Sequence, residues 1–308
     1  MRKERQKGPA RKRKILSNWQ LYVLMLPALL YTLLFCYKPM YGILIAFEDF
    51  SVRKGIWGSE WVGLENFGRL FHSYWFPIIL KNTFVLSALG LVLGFPFPIL
   101  LALLLNELKN RRYRTCVQTV SYLPHFISTV VMCGIITMFL NPNNGVINKA
   151  IVLLGGSGVY FMQEPEWFKW IYVLSGMWQE VGWSSIIYFA ALSGVDATLL
   201  EAADIDGASR LQKIWYVNLP TILPTIAIMF VLQCGQILSI GYEKAYLLQN
   251  DMNLTGSEII STYVYKVGLE QSDFSFSTAT GLFNTVVNCV ILCTANMLSK
   301  KVTKTGLF

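Results

Sequence analysis

Residues 192–224 read LSGVDATLLEAADIDGASRLQKIWYVNLPTILP, and they separate two long apolar runs of the chain. The stretch carries four acidic residues and only two basic ones. Leu199, Leu200 and Ala203 share one side of a short helix, Gly207 interrupts it, and apolar residues at helical spacing resume afterwards. The pattern predicts a helix, a turn and a second helix outside the apolar runs. The two prolines that follow mark the start of the next long helix, since proline is tolerated in a first helical turn.

The composition indicates that this chain uses lipid as its solvent. Its 308 residues are 54% hydrophobic and 14% charged, with a mean hydropathy of +0.46. A soluble domain carries roughly 25% charged residues and has to cover its surface with polar side chains. A soluble single domain and a disordered chain are therefore excluded. Six runs are long enough to cross about 30 Å of hydrocarbon, and they lie at approximately 18–47, 76–106, 117–140, 168–193, 221–249 and 277–299.

The basic residues predict the orientation of the spans. With the N-terminus inside, 17 of the 26 lysines and arginines fall in the segments on the inner side, in line with the positive-inside rule. Both termini are therefore predicted to lie in the cytoplasm. A basic arm at 1–17 and a tail at 300–308 flank the predicted membrane domain at 18–299. The net charge of +8 is explained as a topology signal and does not indicate a nucleic-acid partner.

The reactive residue types show no pattern of an enzyme or a metal site. The six cysteines are scattered and mostly lie within apolar runs, unlike a disulfide framework. His72 and His125 are far apart and lack a zinc-ligand spacing. No GxxxxGK[ST] motif is present, and residues 155–158 lack both the lysine and the spacing of a phosphate loop. The chain is thus predicted to be no enzyme, with no catalytic residue and no metal.

The motif EAADIDGAS at 201–209, closed by NLP at 218–220, resembles the EAA loop of permease subunits in binding-protein-dependent ABC importers. The EAA loop corresponds to residues 194–220 here. In that family the short helix of this loop couples the membrane spans to a cytoplasmic ATPase. Alanines allow close docking, an acidic side chain offers a charge to the partner, and glycine turns the chain without a Cβ penalty. The resemblance assigns this coupling role to Glu201, Ala202, Ala203, Asp206, Gly207 and Pro220.

The resemblance covers nearly the whole chain. PMYGILIAF at 39–47, WVGLENF at 61–67 and MWQEVGWSSIIYFAAL at 177–192 look like sugar permeases of maltose-type importers, most of all their oligosaccharide and polysaccharide branch. This implies an all-α, polytopic protein with six transmembrane helices and the type I ABC importer permease fold, in the bacterial cytoplasmic membrane. It also implies a second related permease, an ATPase dimer that holds ATP and magnesium, an extracellular solute-binding protein and an oligosaccharide substrate. The permease itself then needs no cofactor.

Polar side chains inside the predicted spans indicate a translocation pathway. An ionisable group at mid-membrane is costly and normally faces the bundle interior or a water-filled path, and Glu180 is such a group in the fourth span. Indole rings beside carboxylate and amide groups suit a sugar, since they offer an apolar face together with hydrogen bonds to hydroxyls. The candidates for the pathway are Ser128, Trp178, Gln179, Glu180, Trp183, Gln233, Gln236, Asn284 and Asn288.

Other interpretations stay open at this point. The polar residues of the spans could form interhelical hydrogen bonds that hold the bundle or a subunit interface, and Glu180 could belong to an ion pair. An ABC permease for a non-sugar solute also fits the EAA loop. A self-sufficient transporter with Glu180 as an ion-coupling group is a rival from another class, although it predicts inverted internal repeats that the sequence does not show.

Overall fold

The computed structural model describes residues 19–303, with side chains described up to residue 301. The predicted basic arm at 1–17 and the end of the predicted tail, residues 304–308, lie outside the described part. The described chain is a bundle of helices with one short two-stranded ribbon. The all-α fold that the sequence predicts is therefore confirmed.

The first predicted span is a continuous helical stretch followed by the ribbon. It comprises α1 (Trp19–Tyr31), a π-helical turn (Thr32–Tyr37) and a 3₁₀ segment (Lys38–Phe47). Helix α1 buries no residue within the chain, as expected of an apolar helix that faces lipid. Strands β1 (Glu48–Asp49) and β2 (Glu60–Trp61) then pair antiparallel.

The second span is one long helix with a disturbed middle. After the short helix α2 (Glu65–His72), α3 (Trp75–Leu89) and α4 (Pro96–Asn106) are joined by a π-helical segment (Gly90–Gly94). Glycines and prolines concentrate at this junction, where the sequence predicts a bend. The wider backbone of the π-helical segment leads one span into two differently packed halves.

The third predicted span, at 117–140, is broken. Helix α5 (Arg111–Tyr122) is extended by a 3₁₀ turn (Leu123–Phe126) and meets α6 (Thr129–Phe139) at an angle of 98°. The Ser128 hydroxyl caps the start of α6 and satisfies an amide that the break leaves unpaired. A straight third span, as hydropathy alone predicts, is therefore not what forms.

Helix α8 (Pro165–Leu192) is the long central helix and follows the short helix α7 (Val146–Leu153). Helices α3, α4, α5 and α11 all pack against it. Gly182 is buried at its contact with α5, where a Cβ would overlap the carbonyl of Ser121. A glycine is needed for this approach, because any side chain would push the two helices apart.

The segment at 194–213 forms two short helices. Helix α9 (Ala197–Ile205) is turned by 79° from α8, and α10 (Arg210–Lys213) follows after a tight turn. A π-helical segment (Ile214–Asn218) leads into α11 (Leu219–Cys234). The structure thus contains the helix, turn and helix that the sequence predicts here.

The fifth span is shorter than the predicted 221–249. Helix α11 ends before residues 235–241, which are not helical. The side-chain oxygen of Asn288 accepts a hydrogen bond of 2.9 Å from the Leu238 amide, so the last helix stabilises the break. Hydropathy does not reveal the break, because apolar residues continue across it.

The remaining described helices follow the break at residues 235–241 and complete the bundle. They are α12 (Tyr242–Leu248), α13 (Leu254–Ser257), α14 (Ile260–Tyr265) with a π-helical extension (Lys266–Glu270), and α15 (Phe274–Thr303). Helix α15 continues into the predicted tail. Among the described residues, four helices are long and apolar enough to cross a membrane, or up to six if each bent pair is one span.

Two buried clusters hold the bundle around α8. The first joins α3, α6, α8 and α12 and includes Leu86 and Val173. The second joins α4, α8 and α11 and includes Ala102, Tyr188 and Ile222. Because α8 belongs to both clusters, the space between them runs along its length, and members of both clusters line a cavity there.

Candidate functional site

A cavity of about 1160 Å³ lies beside α8, bordered by α3, α11 and the start of α12. Pockets that bind small molecules are mostly apolar with a few placed polar groups. This cavity has that character, with apolar walls and the polar or aromatic side chains of Tyr172, Gln179, Glu180, Trp183, Ser184, Gln233, Gln236 and Lys244.

Helical periodicity explains which residues of α8 reach the cavity. Tyr172, Gly176, Glu180 and Ile187 are spaced by four, four and seven residues, so they share one face of the helix. All four line the cavity. Trp178 lies off this face and instead lines a separate apolar pocket of about 530 Å³ beside α5. Of the predicted indoles, Trp183 alone belongs to the described lining of the larger cavity.

Glu180 lines the cavity and is held in place by a histidine from the broken third span. The Nδ1 atom of His125 lies 3.1 Å and 3.2 Å from the two carboxylate oxygens of Glu180. The imidazole also stacks on Trp183, with ring centroids 4.4 Å apart and 3° between the planes. When protonated, His125 forms an ion pair with Glu180. The sequence does not predict this pairing, because the two residues are 55 positions apart.

Two further predicted residues lie at the same break between α5 and α6. Gln179 lines the cavity, and its Nε2 atom donates a hydrogen bond of 2.8 Å to the carbonyl of Ile127. Ser128 caps α6 and is not part of the described lining. The break is therefore fastened to α8 by side chains of two consecutive residues, Gln179 and Glu180.

The predicted amides divide between the cavity and the helix packing. Gln233 and Gln236 line the cavity from the end of α11. Asn288 is buried in α15 and donates a hydrogen bond of 2.7 Å to the Ser239 hydroxyl, beside its bond to the broken end of α11. Within residues 19–303, the side-chain oxygen of Asn284 is buried without a hydrogen-bond partner. The asparagines of α15 thus lie outside the described lining, and Asn288 supports the helix packing.

Lys244 is a cavity residue that the sequence analysis misses. Its Nζ atom donates a hydrogen bond of 2.8 Å to the carbonyl of Tyr172 and lies 4.7 Å from the centroid of the Tyr172 ring. The Tyr172 hydroxyl in turn donates to the carbonyl of Gly241 at 3.3 Å. A signal is present in the sequence, because a lysine within the predicted fifth span, 221–249, is costly unless it faces a polar path or reaches the interface.

The EAA loop, residues 194–220, begins with a capped helix. The Asp196 carboxylate accepts a hydrogen bond of 2.9 Å from the Thr198 amide at the start of α9. This bond favours the charged form, so it lowers the pKa of the Asp196 carboxyl below its ordinary value. A cap of this kind sets where α9 begins, independently of the rest of the bundle.

Helix α9 ends in a Schellman motif centred on Gly207. The Ala208 amide donates to the Ala203 carbonyl at 2.9 Å, and the Gly207 amide donates to the Asp204 carbonyl at 3.1 Å. Gly207 has a φ of +74°, which side chains disfavour, although a Cβ there would meet no other atom. The glycine is therefore required by backbone conformation rather than by space.

The surface of the loop is open. Glu201, Ala202, Asp206, Gly207 and Pro220 are exposed, while Ala203 is half-buried. Two apolar side chains beside them are uncovered as well, since Ile205 is 87% exposed and Leu211 is 69% exposed. An ion pair of 2.7 Å between Lys213 and Asp204 joins the two short helices. The loop is thus a small rigid body that presents apolar and acidic groups together.

No cluster of three or more His, Cys, Asp or Glu side chains among the described residues is arranged to hold a metal ion. All six cysteines are free thiols, and four of them are exposed on the surface of the bundle.

Comparison with known proteins gives relatives over nearly the full length. Residues 94–304 match the family described as binding-protein-dependent transport system inner membrane component. The polygalacturonan/rhamnogalacturonan transport system permease protein YteP of Bacillus subtilis (strain 168) is 46% identical over 295 residues, which cover 96% of this chain and 92% of YteP. Protein LplB of the same organism is 43% identical over 292 residues, covering 95% of this chain and 92% of LplB.

Solved structures show the same fold. A chain of a bacterial ABC transporter involved in the import of the acidic polysaccharide alginate has a TM-score of 0.89 and 42% sequence identity, covering 96% of this chain and 100% of that one. The TM-score and identity are the same for a chain of the bacterial alginate ABC transporter in complex with its alginate pentasaccharide-bound periplasmic protein, with coverage of 96% and 99%.

Proposed function

The chain belongs to the family of binding-protein-dependent transport system inner membrane components and is the permease of an ABC importer, and we propose that an oligosaccharide crosses the membrane through the cavity beside α8. The observation that carries the proposal is the lining of that cavity. Trp183 offers a flat apolar face, and Glu180, Gln233 and Gln236 offer hydrogen bonds to hydroxyl groups. YteP and the alginate transporter, which are named for polysaccharides, support a sugar as the substrate. The ion-coupled alternative is not favoured.

The EAA loop is proposed to dock on a separate ATPase. Its support is the exposed surface of the two short helices, where Ile205 of α9 and Leu211 of α10 are uncovered beside acidic side chains. Exposed apolar groups rimmed by polar ones mark interaction sites. The local bonds around Asp196 and Gly207 keep the loop in one shape, so a force applied to α9 passes to the spans instead of deforming the loop.

Transmission from the loop to the spans uses buried contacts at its far end. Asn218 is buried in the π-helical segment before α11, and its side-chain nitrogen lies 3.5 Å from a carboxylate oxygen of Glu107 at the end of α4. Both α4 and α11 belong to the cluster that borders the cavity. A displacement of α9 is thereby linked to the walls of the cavity, as alternating access requires.

The remaining parts of the importer are proposed from the family. The chain is a membrane permease rather than an enzyme, and we place ATP, magnesium and ATP hydrolysis on a partner ATPase dimer. A second related permease completes the pathway, and an extracellular solute-binding protein delivers the sugar. The chain is a multi-pass membrane protein, for which we propose the bacterial cytoplasmic membrane with both termini in the cytoplasm.

The test is purification of the tagged chain from its native membranes in mild detergent, followed by reconstitution of what accompanies it. Mass spectrometry should identify a second permease and an ATPase, and gene neighbourhood then gives the binding protein. In proteoliposomes the complex should import a labelled oligosaccharide when the binding protein is added on the outer side and ATP is supplied on the ATPase side. Import of an amino acid but no sugar would contradict the substrate class. Uptake by the lone chain under an ion gradient would contradict the whole proposal.

A further inference from the structure

The cavity beside α8 carries two charged side chains in its described lining, Glu180 and Lys244. They differ in whether a group of opposite charge can contact them. His125 lies within hydrogen-bond distance of both carboxylate oxygens of Glu180. Within residues 19–303, by contrast, no carboxylate lies within 4.0 Å of the Lys244 ammonium. The cavity therefore presents a cation without a counter-charge in contact.

The ammonium of Lys244 is held at the cavity wall and is not free to move away. It donates one hydrogen bond to the Tyr172 carbonyl and lies over the Tyr172 ring. A Cβ on Gly176 would come within 3.2 Å of the Nζ atom, so the glycine leaves the space that the ammonium occupies. An ammonium has three N–H donors, of which the carbonyl uses one. Donors remain for an acceptor that enters the cavity.

Burying the Lys244 ammonium costs desolvation energy that Glu180, out of contact with it, offsets only in part, and an anion bound in contact lowers this cost further. We propose that Lys244 binds a carboxylate of the substrate, so that the importer selects oligosaccharides containing uronic acid units. The inference rests on the proposed sugar-import function. Lys244 is then the residue that recognises the negative charge of the sugar.

The number of cations favours a carboxylate over a phosphate. A sugar phosphate carries close to two negative charges, and proteins commonly meet such groups with arginine forks or several cationic donors. The described lining holds one lysine and no arginine. A single positive charge matches a single carboxylate.

The position of Glu180 allows one sugar to bind Lys244 through a carboxylate and Glu180 through hydroxyl groups. Glu180 is four residues beyond Gly176 on the same face of α8, or about 6 Å further along the helix axis. The contact that Glu180 makes is with His125 and not with Lys244, which leaves the ammonium for a carboxylate of the sugar. The Glu180 carboxylate can accept hydrogen bonds from hydroxyl groups elsewhere on the sugar.

The experiment measures direct binding of two sugars to the purified importer complex without its binding protein. The probes are trigalacturonate and its fully methyl-esterified form, which share one chain and differ in charge. Four complexes are compared, namely wild type, Lys244→Met, Lys244→Arg and the control Lys169→Met, which changes a lysine of α8 outside the described lining. Microscale thermophoresis gives the Kd values.

The expected result is a loss that depends on the charge of the sugar. Lys244→Met should raise the Kd for trigalacturonate at least about tenfold, as expected for the loss of a hydrogen bond between charged groups. The Kd of the Lys244→Met complex for the ester should stay within about twofold of the wild-type value. Lys244→Arg and Lys169→Met should bind the acid like wild type.

Three outcomes would overturn the inference. Lys244→Met binding the acid like wild type would show that the lysine does not contact it. An equal loss of both sugars would assign Lys244 to the structure of the cavity alone. Wild type preferring the ester would exclude an acidic substrate while leaving sugar import intact. Wild type binding neither sugar but importing a non-sugar solute would instead refute the proposed function.

Discussion

The EAA loop and the cavity beside α8 are held by contacts of very different range along the chain. In the loop, Asp196 bonds to a residue two positions away, and Lys213 pairs with Asp204 nine positions away. In the cavity, Glu180 is held by a residue 55 positions away, and Lys244 bonds to a carbonyl 72 positions away. The loop is therefore a local unit that keeps its shape when it moves. The cavity exists only through the arrangement of distant segments.

This difference suits the two parts to different tasks in transport. A rigid loop transmits a displacement, since its internal bonds do not depend on its position. A cavity whose walls are joined in part by polar side-chain contacts across breaks in the spans can open and close, because a small shift of one segment breaks and remakes those contacts. Substitutions in the loop should thus impair coupling, and substitutions in the cavity should impair contact with the substrate.

The largest effect is expected at the turn of the loop. Gly207→Val places a β-branched residue at a φ of +74°, where such residues are strongly disfavoured, and it deforms the end of α9. ATP-driven uptake should fall by up to about a hundredfold, the upper range of coupling between sites. The measurement is uptake in proteoliposomes together with the amount of complex in the membrane.

The matched control is Gly194→Val, which adds the same side chain at an exposed glycine of the same loop whose φ is not positive. It should retain most of the uptake. Equal uptake by the two variants would show that the conformation of Gly207 does not matter for coupling.

The next effect concerns the contact between the broken third span and α8. Glu180→Gln and His125→Gln should each lower uptake about tenfold, because each replaces one partner of the hydrogen bond between His125 and the Glu180 carboxylate. The double variant should lose little more than either single one, since the two residues act as one unit. Glu166→Gln, which changes an exposed carboxylate in the first turn of α8, serves as the control. Additive losses would mean that the residues act separately.

A third prediction compares Asn284 and Asn288, two of the asparagines of α15, by their effect on stability. Asn288→Leu removes the acceptor of the Leu238 amide and should destabilise the complex by about 1–3 kcal/mol. Asn284→Leu removes a buried oxygen that has no partner in the described residues, so it should cost much less. Thermal unfolding of the purified complexes compares them. A larger fall of Tm for Asn284→Leu would contradict the assignment.

The smallest effect is expected at the helix cap. The pKa of Asp196 is lowered in the folded loop, so its stabilising contribution is complete above about pH 4 and disappears as the pH falls through the lower, folded-state pKa. Asp196→Ala should speed hydrogen exchange of the Thr198 amide at pH 7 and have less effect in acid. Asp196→Asn should protect that amide at both pH values, because asparagine caps without titrating. Identical exchange in wild type and both variants would show that Asp196 does not cap α9.

The sequence predicts the loop well, and the range of its contacts explains why. The cap at Asp196 and the turn at Gly207 depend on neighbours within a few residues, so their signals lie together in the printed sequence. The positions of the long apolar helices follow from hydropathy in the same way. The break at residues 235–241 does not, because it depends on a bond from Asn288 that is about fifty positions distant.

The cavity is predictable in part. Periodicity and the cost of a charge in the membrane lead to Glu180, whose face of α8 also carries the lining residues Tyr172, Gly176 and Ile187. The same reasoning does not lead to His125, which gains its role only through a contact formed by the fold. Trp178 and Trp183 look equivalent in sequence, yet they face different pockets because five residues turn a helix well past one full rotation.

The passage of the sugar along the cavity is tested most directly by those two tryptophans. Trp183→Leu and Trp178→Leu make the same change five residues apart on α8, one inside the cavity and one outside it. ATP-driven uptake of the oligosaccharide should fall about fivefold for Trp183→Leu, in line with the loss of an aromatic contact, and stay near wild type for Trp178→Leu. Equal uptake by both variants, or a larger loss for Trp178→Leu, would place the pathway elsewhere.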